Sequence, residues 1–309
     1  MTRACCAMPG RAEPRRTPAG RRAAARRGGC LVAALLVGTV LTVGLAGCAS
    51  APERPPSAIQ QQGADASQRA ARALQRGDLA QARAQYLLAL AAAQALQDPD
   101  ATGAALLNLT LVDSRRGDLA AASAHVDRLL ADPTLQAPAL QARAATRKAL
   151  LLLDLNQPDA ALGWADQARS RCAPPCALAP VLDNLQAYVA LTRGDAAAAL
   201  AQARRAAATA GASGQTGEQA SALRLAGRAA TRLGDTTSAA EALASALQLD
   251  RQLGQPDRVA LDLLYAAENE ERRGNPAAAA ALYERAATVY AASGDARSAA
   301  SLRARLAGR

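Results

Sequence analysis

The chain has 309 residues and a formal charge of +10, half of its residues are apolar, and it carries no Phe and a single His. The charge is unevenly placed: residues 1–47 hold eight Arg against one acid, so the remaining 262 residues carry 28 basic and 25 acidic side chains, a net of +3. So mild a surplus, with no aromatic motif to stack on bases, points away from a nucleic-acid partner. His125 has no second His beside it, and the chain offers no Ser-centred elbow and no Gly-rich phosphate loop, so no catalytic constellation stands out.

The first element is an Arg-rich start followed by an apolar run from Leu31 to Leu45. A charged start, a short apolar core and small residues before a break form a secretory signal. As a helix the run would reach only about 22 Å, short of the ~30 Å hydrocarbon core of a bilayer. The run ends in Leu45-Ala46-Gly47-Cys48.

Those four residues resemble the lipobox of bacterial lipoproteins. The resemblance implies cleavage before Cys48, acylation of Cys48, and an anchor in the bilayer with the chain facing the periplasm. Because Ala49 rather than Asp follows the Cys, it implies the outer membrane. An ordinary cleaved signal and an uncleaved anchor are the competing readings. Several acyl chains at about 0.8 kcal/mol per buried CH₂ would make such an anchor permanent.

After residues 1–47 as signal, residues 48–63 read as the lipidated Cys and a flexible tether, with Pro52, Pro55 and Pro56. From about Ala64 the composition is Ala- and Leu-rich, poor in β-branched residues, with Gly and Pro confined to punctuation, which is helix composition. The punctuation is periodic: Gly77-Asp78, Gly117-Asp118, Asn156-Gln157, Gly194-Asp195, Gly234-Asp235 and Gly274-Asn275 are spaced by 40, 39, 38, 40 and 40 residues. Gly ends a helix in the left-handed conformation, and Asp or Asn caps the next. Each marker therefore reads as the corner of a helix hairpin. Five residues after each marker stands Ala: Ala82, Ala122, Ala161, Ala199, Ala239 and Ala279. Small or apolar residues follow at offsets nine and twelve, on the same helix face, where they let two helices approach closely.

The stretch from Gly77 to Leu90, and again from Gly274 to Ala286, resembles the second helix of a tetratricopeptide (TPR) repeat. The resemblance implies an all-α, right-handed α-solenoid of about six TPR-like helix hairpins over residues 64–290, with a C-terminal cap at 291–309. It departs from the family in its period, which exceeds the usual 34 residues by about six, and at Asp113 and Glu270, where the family prefers an aromatic. A generic α-solenoid of another class is the alternative.

Cys172-Ala-Pro-Pro-Cys176 is the remaining thiol pair once the signal and Cys48 are set aside. An oxidising periplasm favours a structural disulfide between Cys172 and Cys176. A redox-active pair is the sharper alternative, although the spacing is three residues and not two. Two Cys and a distant His125 do not complete a zinc site, and neither metal nor cofactor is expected.

If the family register holds, the concave groove is lined by residues 13, 10, 6, 3 and 2 positions before each marker. That selects Asn184 and Tyr188 in the fourth repeat, Arg224, Arg228 and Arg232 in the fifth, and Glu268 in the sixth. The three Arg are spaced by four and form one stripe, suited to bidentate bonds with carboxylates. The plainer reading is a solvated face in which Arg228 only neighbours Glu268. The expectation is therefore a membrane-anchored periplasmic scaffold that binds a protein or peptide in envelope assembly (pilus, outer-membrane protein or cell-wall machinery) and is not an enzyme. The alternatives are a cytoplasmic scaffold, if the signal is not used, and a cell-envelope enzyme.

Overall fold

The computed structural model describes residues 55–308, so the signal, Cys48 and the start of the tether lie outside the described residues. Among the described residues there are thirteen helices and no strand. The first hairpin pairs α1 (Ala58–Gln75) with α2 (Leu79–Ala95), and the second pairs α3 (Pro99–Arg115) with α4 (Leu119–Ala131). The third joins α5 (Pro138–Asp154) to α6 (Pro158–Arg171), and the fourth joins α7 (Ala179–Thr192) to α8 (Ala196–Ala212). The fifth and sixth are α9 (Thr216–Leu233) with α10 (Thr236–Gln252), and α11 (Pro256–Arg272) with α12 (Pro276–Ala292). A last helix, α13 (Ala296–Ala307), packs on α12. This is a TPR-like solenoid of six antiparallel hairpins with a C-terminal capping helix.

All six periodic markers are hairpin corners. Gly77, Gly117, Gly194, Gly234 and Gly274 take positive φ, and Asn156 takes the same left-handed conformation at φ 57. That geometry costs Gly nothing and Asn little. Asp78, Asp118, Asp195 and Asp235 then cap the following helix, each accepting a bond from the backbone N–H three residues on. Gln157 and Asn275 make no such bond; there Pro158 and Pro276 open the helix at its first turn. Asn275, expected as a cap, instead donates to Glu270 Oε2 at 2.8 Å.

The six Ala at offset five are all fully buried. So are, or nearly so, the residues at offset nine (Tyr86, Val126, Ala165, Ala203, Leu243, Tyr283). The second helices thus press a small-residue face against the first helices. First helices carry Gly where the approach is closest: a Cβ on Gly227 would lie 2.5 Å from Leu243 Cγ and 3.2 Å from the Ala239 carbonyl.

The extra residues of the long period lie mostly in the helices, which run to 17 or 18 residues in most hairpins. α4 and α6 are shorter, and there the connections lengthen instead, over 132–137 and 172–178. In the second of these, Cys172 and Cys176 are joined by a disulfide with their Cα atoms 5.4 Å apart. Successive first helices α3–α5, α7–α9 and α9–α11 pack side by side, whereas α5 and α7 scarcely touch each other directly. The 172–178 connection sits at this seam. Across it α5, α6 and α7 still share one apolar cluster, including Ala145, Ala165 and Leu182.

The tether is shorter than expected. α1 begins at Ala58, so residues 58–63, read as flexible, are helical. Ser57 accepts from the Gln60 N–H while Gln60 reaches back to the Ser57 N–H, a reciprocal cap that starts a helix at once. Gly63 belongs to that helix because it meets α2 closely; a Cβ there would lie 3.0 Å from Ala92 Cβ.

Candidate functional site

The concave side is built from the first helices. A cavity of about 770 Å³ is lined by residues of α3, α5, α7 and α9, with Leu119 of α4 and Arg258 of α11. It opens where α5 and α7 stand apart. The residues six positions before each marker form a column along it: Leu111, Leu150, Tyr188, Arg228 and Glu268. The first three line the large cavity, and Leu153, Val181 and Leu185 extend its apolar floor. The last two line a second cavity of about 350 Å³, shared with Arg232, Tyr265 and Arg305. Along this column the side chains change from apolar to charged.

The sequence-selected residues separate into three groups. Tyr188, 39% exposed, stands in the large cavity. Asn184 lines the same cavity but is buried, its Nδ2 donating to the Glu218 carbonyl at 3.0 Å and to Glu218 Oε2 at 2.9 Å. Those two acceptors fix the orientation of the amide and leave Oδ1 without a partner. Asn184 thus ties α7 to the start of α9 and is not the adaptable surface contact expected.

Arg228, Arg232 and Glu268 come together in the second cavity. Arg228 lies over the Tyr265 ring at 4.2 Å, a cation–π contact. Arg232 donates to the Leu191 carbonyl near the end of α7, a place that favours a cation. Burial raises the Glu268 carboxyl above its usual range, and the Arg228 and Arg305 charges oppose the rise.

Arg224 is a correction. It is only 5% exposed and does not extend the stripe into the groove. Its Nε donates to Asp262 Oδ1 at 2.6 Å, and its Nη2 donates to Asp250. Both carboxylates are buried as well. The reason is positional. Ten residues before the marker, Leu107, Thr146, Asn184 and Arg224 are all buried, and Arg224 turns to Asp250 of α10 and Asp262 of α11 instead of the groove.

One guanidinium between two buried carboxylates leaves an excess negative charge, and Asp262 is pushed up to about 7. Burial is the main cause, the Arg224 charge opposes it, and Asp250 adds repulsion. The Asp250–Asp262 pair thus keeps a proton that an unfolded carboxylate would release near pH 4. The folded state binds the extra proton, so this contribution to stability is complete below about pH 4 and is lost as pH rises through about 7. The melting temperature is expected to fall between about pH 4 and pH 7 and to level off above it, and Asp262→Asn to flatten that slope. A wild-type melt with no slope in this window would contradict the proton-sharing pair.

The two departures from the family pattern are also resolved. Asp113 is fully buried, with Arg83 Nε at 2.9 Å, Arg116 Nη1 at 3.0 Å and His125 Nε2 at 3.3 Å. His125, its side chain 18% exposed, is partly buried beside Asp113. Burial lowers its pKa, although the Asp113 charge works the other way. Glu270 bonds Arg273 and Asn275 at the last corner. Charged networks stand where an aromatic was expected.

Sequence reasoning missed the groove's strongest charge. Arg115, Arg147 and Arg258 line the large cavity, and Arg143 lines a smaller one that shares Arg147 and Glu218 with it. None of these four guanidinium groups has an ion-pair partner among the described residues. Arg147 is pushed below the usual arginine range, first by burial and then by the Arg115 and Arg143 charges. Arg258 is lowered chiefly by loss of hydration and by the Arg224 charge. Signals for two of them existed: Arg115 stands two residues before Gly117 and Arg143 stands 13 residues before Asn156, both at groove offsets. Among the described residues, no group of three or more His, Cys, Asp or Glu is placed to hold a metal.

Fold and groove together define a TPR-like helical-repeat protein. No family model matches the chain, and no curated protein does. Among solved structures it is similar to PilW, described as a widely conserved type IV pilus biogenesis factor, at 18% identity over 78% of this chain and 98% of that one, TM-score 0.53. It is also similar to a Rap protein complexed with Competence and Sporulation Factor, at 15% identity over 78% of this chain and 70% of that one, TM-score 0.56. A third is BtubC from P. vanneervenii, at 18% identity over 77% and 92% of the two chains, TM-score 0.51. At such identities the likeness is one of fold.

Proposed function

We propose that the chain is a lipid-anchored scaffold of the cell envelope that holds a segment of a partner protein in its concave groove and performs no catalysis of its own. The observation that carries the binding half is the 770 Å³ cavity, formed by successive first helices and containing an exposed Tyr188 above an apolar floor. Concave, mostly apolar sites with a few placed polar groups are where ligands are held, and half-exposed Tyr is a favoured contact residue. The buried carboxylates Asp113 and Asp262, by contrast, are tied into ion pairs at a corner and between hairpins. The structures of similar fold include one described as a type IV pilus biogenesis factor and one in complex with Competence and Sporulation Factor. They support a binding role and an envelope-assembly setting by analogy of fold alone.

The anchoring half rests on Leu45 to Cys48. Among the described residues no helix is long and apolar enough to cross a membrane; the proposed attachment is the acylated Cys48. Labelled palmitate should enter the protein in cells and be lost in Cys48→Ala, and the intact mass should match a chain that starts at acylated Cys48. An unlabelled product with residues 1–47 still in place would point instead to a scaffold of the cytoplasm. For the groove, Tyr188→Glu should leave helicity intact and abolish partner capture. Unchanged capture would move the partner elsewhere.

A further inference from the structure

None of the four arginines around the large cavity forms an ion pair among the described residues. Arg115 comes from α3, Arg143 and Arg147 from α5, and Arg258 from α11, so four charges from three first helices converge on one groove. Proteins rarely gather like charges beside an apolar surface without a counter-charge, because each lowers the others' hydration and repels them. The acids that line these cavities, Glu218 and Asp154, are fewer, and Glu218 is already held by Asn184. A net positive rim thus surrounds the floor of Leu111, Leu150 and Val181.

We infer that the groove takes an acidic segment of a partner protein, with carboxylates on the Arg115–Arg143–Arg147–Arg258 rim and apolar side chains on the Leu111–Leu150–Val181 floor. This rests on the scaffold reading above and gives its partner a chemistry. Guanidinium groups suit carboxylates because their paired N–H donors match the two oxygens. Asn184, held by Glu218, takes no part. Arg224, which pairs inside the fold, takes no part.

The arginine rim also sets a sign for stability. A groove arginine kept for a structural bond would destabilise the chain when removed. Arg147 has like-charged neighbours and no ion pair, so its removal relieves repulsion, and Arg147→Ala should melt no lower than wild type.

The test uses the purified full chain and two labelled nine-residue peptides, one alternating glutamate with leucine and one with lysine in place of glutamate. The acidic peptide should bind, and its affinity should fall steeply with salt because exposed charges are screened beyond about 10 Å at 0.1 M. The lysine peptide should not bind. Arg147→Ala with Arg258→Ala should weaken the acidic peptide by about tenfold or more. Arg115→Ala with Arg143→Ala, both on exposed side chains that the fold does not need, should weaken it as well. Equal binding of both peptides, or no loss in either double variant, would overturn the inference. So would binding of phosphatidylglycerol vesicles through these arginines without binding of the acidic peptide. If neither peptide binds while a partner still cross-links to Tyr188 in cells, the acidic preference fails and the scaffold stands. If both are absent, both readings fail.

Discussion

Arg224→Ala is expected to be the most damaging single substitution in the described chain, costing about 3–5 kcal/mol. The side chain is 5% exposed and bridges Asp250, the last buried residue of α10, to Asp262 on α11. Taking it away leaves two carboxylates in a low-dielectric seam between hairpins five and six, with no cation bonded to either. Nothing can solvate them there without opening the seam. Arg224→Lys should recover only part of the loss, because an ammonium cannot present two fixed donor directions at once. Solenoids need not unfold as one unit. The clearest reading is therefore hydrogen exchange, with protection lost first in α9, α10 and α11 and retained in α1 to α4. A melt and exchange pattern like wild type would mean that the bridge contributes nothing, and that the Arg is free to serve the groove.

The second large effect concerns the close crossing of α9 on α10. Ala239→Leu should cost about 1–3 kcal/mol by overpacking. Ala239 is fully buried, and its carbonyl lies 3.2 Å from the position of a Cβ on Gly227. The two backbones are already at contact, so added carbons must displace a helix. Gly227→Ala makes the same point with an opposing bias. Ala favours a helix interior over Gly by about 1 kcal/mol, yet the new Cβ would sit 2.5 Å from Leu243 Cγ. Destabilisation in spite of the propensity gain would show that the crossing is tight. Ala244→Leu, on the exposed side of the same helix, should change stability by no more than about 0.5 kcal/mol. Urea melts of the three variants separate these outcomes. Equal stability of Ala239→Leu and Ala244→Leu would mean that the repeat face is not where the offset-five Ala places it.

These two cases also mark what was legible in the sequence. Hairpin corners and the small-residue face were readable because they depend on local rules. A left-handed corner selects Gly or Asn, as at Gly77 and Asn156, and a close helix contact selects Ala at one offset, as at Ala199 and Ala279. The start of α1 carried its own local signal, the Ser57 and Gln60 cap, but three nearby prolines favoured a tether. Groove chemistry was less readable. Whether Arg224 faces the groove or the next hairpin depends on the angle between neighbouring first helices, which no single repeat encodes. Arg147 and Arg258 lie off the family's groove offsets and reach the cavity because α5 and α7 stand apart and the remaining first helices close around the gap. His125 and Asp113 are twelve residues apart and meet only when α4 folds back on α3.

The most direct measurement is site-specific photo-crosslinking in cells. One cross-linker replaces Tyr188 in the large cavity, and a second replaces Arg204, exposed on α8, a helix that contributes nothing to that cavity. A discrete adduct at Tyr188 and none at Arg204 is the expected result. Adducts at Arg204 alone, or no adduct at Tyr188, would contradict a partner held in the groove.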